Sequence, residues 1–386
     1  MQQQKTTPDS PILITGAGGF VGKNLVATLQ TRGYTNLMQF EKGDTPETLA
    51  EYCQKAAFVV HLAGINRPKD PSEFYTGNAG LTETMLADLA AAGSKAPVLV
   101  TSSVQAALDN DYGKSKLQAE QAIFAHGAAT GAPVYVFRME GVFGKWCRPN
   151  YNSVVATFCH NIANNLPIEV RDPGYALPLV YIDDVVACIL AALENGEAQR
   201  DAESICHIHP VHTVTLGLLA DTLRGFAAAR GGDGAPSLAV PDLASGSFEK
   251  KLYSTYLSYL PKNGFAYALP MHCDERGSFT EFLRSPERGQ VSVNISKPGI
   301  VKGNHWHHTK NEKFLVVKGE GLIRFRNIFD TEIIEYRVSG DPLQVVDIPC
   351  GYTHNIENVG TGDMVTVMWA NEAFDPNHPD TFAMQV

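Results

Sequence analysis

The apolar residues of this chain change their period near residue 245, and that change fixes what the two parts can become. From Pro11 to about Ala244, short apolar runs alternate with amphipathic stretches: ILIT at 12–15, then NLMQF, AFVVHLA, PVLVTSS and PVYVFR. Short apolar runs separated by helical patterns specify a parallel, doubly wound sheet with helices on both faces. A stretch rich in Gly, Ala and Pro at 231–246 follows, then one helical pattern, FEKKLYSTYLSYL. Beyond it come short β runs with frequent Gly, among them QVSVNIS, KFLVVKGEGLIRFR, EIIEYRV, QVVDIP and MVTVMWAN. Strands without intervening helices read as a sandwich or jelly roll. The expected organisation is an α/β domain over 10–245, a linker helix over 246–266 and an all-β domain over 267–386.

Length and composition agree. The 386 residues suit two cores, and 44% hydrophobic with 19% charged residues describes a folded chain. A net charge of −10 without a basic stripe argues against nucleic acid or an anionic membrane as partner. An anionic substrate would need local cations, and Arg138, Lys145, Arg148 and Arg171 gather in the first domain. Seven Cys without a CxxC pair argue against a disulfide framework and fit a reducing compartment. The opening MQQQKTTPDSP has no apolar core, and no apolar run reaches the roughly 18 residues of a membrane span, so the cytoplasm is the expected location.

ILITGAGGFVG sets Gly16, Gly19 and Gly22 after a buried strand and at the start of a helix. There the backbone can approach a pyrophosphate, and the helix N-terminus supplies amide donors. At the end of the second strand Glu41 suits a ribose 2′-hydroxyl and Lys42 a 2′-phosphate; the expectation is NADPH, with NADH the lesser choice. Ser103 ends the strand PVLVTSS, and Tyr112-GKS-Lys116 puts phenol and amine one helical turn apart. A phenol needs help to work near neutrality, so Lys116 is expected to stabilise the Tyr112 phenolate and Ser103 to fix a substrate oxygen.

In the last third, His305 and His307 alternate along a strand, Glu312 follows across a turn, and His354 arrives within PCGYTHNIEN. Three imidazoles and a carboxylate suit a divalent metal, with Zn, Mn, Fe, Ni and Cu all compatible and Zn the expectation. The spacing follows the two cupin motifs, apart from a longer gap between Gly340 and Pro349.

The first domain resembles the extended short-chain dehydrogenase/reductase family through TGAGGFVG, HLAG, SS, YGKSK and YIDDV. The resemblance implies a cofactor held by Gly16, Gly19, Phe20, Val21, Gly22, Lys42, Leu62, Ala63, Tyr112 and Lys116, with Asn78 near the family's structural or cofactor-linked Asn. It also implies nucleotide-sugar contacts near Lys145, Arg148, Asn152 and Arg171. DERGSFTEF resembles the opening strand of cupin deoxysugar epimerases, which implies a sugar-nucleotide contact for Arg276. The base there stays open among a metal-bound hydroxide, Lys302, His308 and Asp347.

Over almost its whole length the chain resembles the CapF-type enzymes of bacterial capsule and O-antigen synthesis. That implies C3 epimerisation of UDP-2-acetamido-2,6-dideoxy-4-hexulose, a UDP-linked 4-keto-6-deoxy-HexNAc, in the cupin. NADPH-dependent C4 reduction in the other domain would then give UDP-2-acetamido-2,6-dideoxy-β-L-talose, on the route to UDP-N-acetyl-L-fucosamine. A homodimer is expected. The alternative is a reductase whose cupin only binds sugar or pairs the chains.

Overall fold

A computed structural model describes residues 6–231 and 234–386; Met1–Lys5, part of the segment read for a leader, lie outside the described residues. The chain divides into two compact units, one of Met1–Asp221 with Ser254–Tyr259, the other of Thr222–Tyr253 with Leu260–Val386. The helix Phe248–Leu257 forms where FEKKLYSTYLSYL predicts one, and its residues are divided between the units.

In the first unit six parallel strands lie in the order Leu37–Phe40, Ile12–Thr15, Phe58–His61, Val98–Ser103, Val134–Met139, Ile205–Cys206. The five apolar runs are therefore the strands expected of them. Side chains alternate across the sheet: Ile12, Ile14, Phe58, Val60 and Phe137 enter one buried cluster, and Leu13, Val59, Val98 and Val136 the other. Burial on both faces is why these runs are apolar throughout. The order reverses between Ile12–Thr15 and Phe58–His61, so the glycine loop after Thr15 opens at a topological switch point, where such sheets bind ligands.

The second unit carries antiparallel strands in two sheets. One runs His272–Asp274, Gly277–Ser285, Gly289–Ser296, Met364–Ala370, Glu312–Lys318, Val345–Ile348; the other runs Ile333–Ser339, Glu320–Asn327, Tyr352–Asn358, Val301–Trp306, Phe382–Ala383. Phe314, Val316, Ile323, Phe325, Ile348, Ile356 and Met364 fill the space between them. This is the β-rich cupin arrangement expected. Among the described residues no helix is long and apolar enough to cross a membrane.

Candidate functional sites

The glycine loop is shaped as a cradle. Gly16 has φ +70°, and a Cβ there would lie 2.8 Å from the Ala63 nitrogen; a Cβ on Gly22 would collide with the Gly16 carbonyl. The loop therefore packs on Leu62–Ala63, and the amides at the start of the helix Phe20–Thr31 have the loop in front of them. Gly16, Gly19, Phe20, Val21, Gly22, Leu62 and Ala63 are thus brought together. The Glu41 carboxylate accepts the Gly18 N–H, while Lys42 beside it is exposed.

Tyr112 and Lys116 sit in the first turns of the helix Asp111–Thr130, which Asn110 caps by accepting the Gly113 N–H at 2.8 Å. Lys116 Nζ donates to the Thr101 carbonyl at 3.2 Å, at the end of the strand that also carries Ser103. Burial lowers the Lys116 pKa to about 8. Burial raises the Tyr112 pKa, opposed by its hydrogen bond with Ser103, so the phenol holds its proton at neutral pH.

A buried polar network joins this group to the loop. Asn78 lies in a π-helical turn, Tyr75–Gly80; its Oδ1 accepts the Ile65 N–H at 2.8 Å and its Nδ2 donates to Ser115 Oγ at 2.9 Å. Thr82 Oγ1 donates to the Asn78 carbonyl at 2.7 Å and lies 2.9 Å from His61 Nε2, while His61 Nδ1 lies 2.7 Å from Thr15 Oγ1.

The four cations expected to meet an anion divide. Arg138 is committed to buried Glu120 by paired hydrogen bonds of 2.7 to 3.2 Å, so it is a structural ion pair and not an open anion site. Lys145 Nζ lies 2.5 Å from Asp183, and exposed Arg171 pairs with Glu169. Arg148 lies over the Tyr151 ring at 5.1 Å, joined on that ring by Arg67 at 5.9 Å, which the sequence reading missed. Asn152, next to Tyr151, is exposed. Tyr259 was missed as well; its hydroxyl donates to the Cys147 carbonyl at 2.6 Å and so holds the loop that carries Arg148.

In the β unit, His305, His307, Glu312 and His354 each offer a ligand atom, all within 4.8 Å of one another. The arrangement fits a cation for a reason independent of spacing. His307 Nδ1 lies 2.6 Å from the Asp380 carbonyl, which can only accept, so Nδ1 carries the proton and Nε2 presents a lone pair. His307 Nε2 and His354 Nε2 then face Glu312 Oε2 at 3.5 and 3.3 Å, and all three atoms are buried without a hydrogen-bond partner. Lone pairs aimed at a carboxylate require a positive centre between them, a proton or a metal ion. Burial and the neighbouring imidazoles lower the His305 pKa to about 4; Glu312 falls to about 2 because its two histidines outweigh burial.

Of the side chains considered as base, Asp347 is exposed and paired with Lys313, and His308 is exposed. Lys302 crosses between the sheets, its Nζ donating to Asn294 Oδ1 at 2.7 Å and to the Ile295 carbonyl at 3.0 Å. Arg276 is exposed and paired with Asp274 at 2.5 Å.

Comparison with known proteins follows the same division. Residues 12–206 match the NAD dependent epimerase/dehydratase family, and 272–382 match the polysaccharide biosynthesis C-terminal domain. The UDP-2-acetamido-2,6-beta-L-arabino-hexul-4-ose reductase of Pseudomonas aeruginosa is 44% identical over 375 residues, 97% of this chain and 98% of that protein. The crystal structure of the capsular polysaccharide assembling protein CapF from Staphylococcus aureus superposes with TM-score 0.88 at 53% identity, covering 97% of this chain and 100% of that one. UDP-glucose 4-epimerase from Thermotoga maritima, at 19% identity and TM-score 0.54 over 64% of this chain and 98% of that one, shares the fold. An NAD(P) cofactor goes with the first of these families, and the glycine cradle fits one. The chain therefore belongs to the CapF-type family, in which an NAD dependent epimerase/dehydratase domain and a polysaccharide biosynthesis C-terminal domain share one polypeptide.

Proposed function

We propose that the chain epimerises carbon 3 of UDP-2-acetamido-2,6-dideoxy-4-hexulose and then reduces carbon 4, giving UDP-2-acetamido-2,6-dideoxy-β-L-talose on the route to UDP-N-acetyl-L-fucosamine. The observation that carries this reading is the presence, on one chain, of a half-buried Ser103–Tyr112–Lys116 group and a four-ligand His/Glu cluster. The name of the Pseudomonas aeruginosa relative, a hexul-4-ose reductase, supports the substrate class. The chemistry of the sugar dictates the order. A hydrogen on carbon 3 is acidic only while carbon 4 is a ketone, and reduction removes that activation.

A divalent cation held by His305, His307, Glu312 and His354, Zn on this reading, would supply positive charge beside the ketone; NADPH would supply hydride at carbon 4. The chain's own residues do the rest. Lys302 faces the barrel interior, and burial lowers its pKa, so we assign it the carbon-3 proton. Tyr112, protonated at neutral pH, gives its proton to the oxygen of carbon 4, and Ser103 orients that oxygen. Arg148, Asn152, Arg171 and Arg276 are assigned to the UDP-sugar. NADPH is chosen on Lys42, and Glu41 opposes that choice. Apolar side chains stand exposed on two sheet-edge strands, Ile333 and Tyr336 on one and Val345 on the other, which supports a homodimer; the cytoplasm is its proposed location.

The test is a Tyr112→Phe variant in D₂O with the 4-keto substrate. Reduction is expected to fall at least 100-fold while deuterium enters carbon 3, followed by NMR. No deuterium at carbon 3 would leave the β domain as a non-catalytic module.

A further inference from the structure

The four metal-site side chains come from residues 305–354, yet the contacts that orient one of them come from a later segment, Pro379–Ala383. Asp380 makes two kinds of contact there. Its main-chain carbonyl accepts from His307 Nδ1 at 2.6 Å, which fixes the tautomer and turns Nε2 toward Glu312. Its carboxylate accepts three consecutive main-chain N–H groups, His308 at 3.0 Å, Thr309 at 2.8 Å and Lys310 at 2.8 Å, and the Thr309 hydroxyl at 3.1 Å. The turn that carries the chain from His307 to Glu312 is folded around that carboxylate.

Neighbouring contacts keep the segment in register. Lys310, 6% exposed, donates from Nζ to the Pro379 carbonyl at 2.7 Å. Phe382–Ala383 pairs with Trp306 and His305, and the Phe382 ring lies 4.9 Å from Trp306. Met384 N donates to the Asn304 carbonyl at 2.9 Å.

We propose that Asp380 is the positioning residue of the metal centre: it holds His307 in the ligating tautomer and fixes the turn between two of the four ligands. The proposal rests on reading the cluster as a metal site. An imidazole without such a partner samples both tautomers and other ring orientations, and loss of a partner of this kind weakens metal binding about 10–100-fold.

The test is a titration of metal-stripped full-length protein with Co²⁺, followed by visible absorption, and with Zn²⁺ against a chelator. The unsubstituted chain is expected to bind one ion per chain with a single Co²⁺ spectrum. Asp380→Ala keeps the main-chain carbonyl but removes the carboxylate that holds the 308–310 turn against it, and is expected to bind about 10 times more weakly with an altered spectrum. Asp380→Asn keeps one oxygen for the 308–310 amides and should fall between; it also carries the test if Asp380→Ala does not fold. A lower melting temperature with unchanged metal affinity and spectrum overturns the proposal. If the unsubstituted chain binds neither ion, the metal reading falls and takes this proposal with it, a result distinct from equal binding by all three proteins.

Discussion

The proton positions around His61 follow from its neighbours. Thr82 Oγ1 spends its proton on the Asn78 carbonyl, so it must accept from His61 Nε2; His61 Nδ1 then accepts from Thr15 Oγ1, which in turn accepts the Ala63 N–H at 3.2 Å. His61 is neutral, and burial, with Lys116 nearby, lowers its pKa to about 3. The sign follows. Between pH 6.5 and 3 the unfolded chain binds a proton that the folded chain refuses, so stability is present above 6.5 and is lost as pH falls through that window. His61→Gln keeps a donor and an acceptor but does not titrate. Denaturant unfolding at pH 7 and 4.5 should cost the natural chain about 2 kcal/mol more than the variant; equal losses would contradict the assignment. At the cofactor end, Glu41→Gln is expected to tighten NADPH and weaken NADH about tenfold each, read as dissociation constants. Unchanged constants would free Glu41 of any part in the choice.

At the scale of elements, the turn just past the helix Phe248–Leu257 is tied to the loop around Arg148, because the Tyr259 hydroxyl donates to the Cys147 carbonyl. Removing a partly buried hydrogen bond costs roughly 1–3 kcal/mol. Tyr259→Phe should therefore raise KM for the UDP-sugar several-fold and leave kcat nearly unchanged. Steady-state kinetics with cofactor in excess would check this, and a fall in kcat alone would contradict it.

For the whole molecule, the features legible in the sequence were the local ones. Apolar runs gave the strands because period and burial are properties of neighbouring residues, and the cluster of His305, His307, Glu312 and His354 was legible because two local motifs carry it. Couplings outside any motif were hidden. Arg138 reads as a free cation until Glu120 is found beneath it, and Lys145 until Asp183 is found beside it. Asp380 belongs to no motif, and its role appears only when Phe382–Ala383 pairs with the His305 strand. Burial of the Tyr112 phenol, which raises its pKa, is likewise a tertiary property.

Metal should also act on the stability of the β unit. Zn²⁺ at about 1,000 times its dissociation constant adds about 4 kcal/mol to whatever binds it, so calorimetry should register a higher unfolding temperature for the natural chain and none for His307→Ala.

The most direct measurement of the central claim is the isotopic composition of the product. The natural enzyme, given 4-keto substrate in D₂O with unlabelled NADPH, should yield product with solvent deuterium at carbon 3 and hydrogen from the cofactor at carbon 4. The same reaction in H₂O with deuterated cofactor should reverse the two labels. Product that carries cofactor label at carbon 4 but never solvent label at carbon 3 would contradict the claim that one chain both epimerises and reduces.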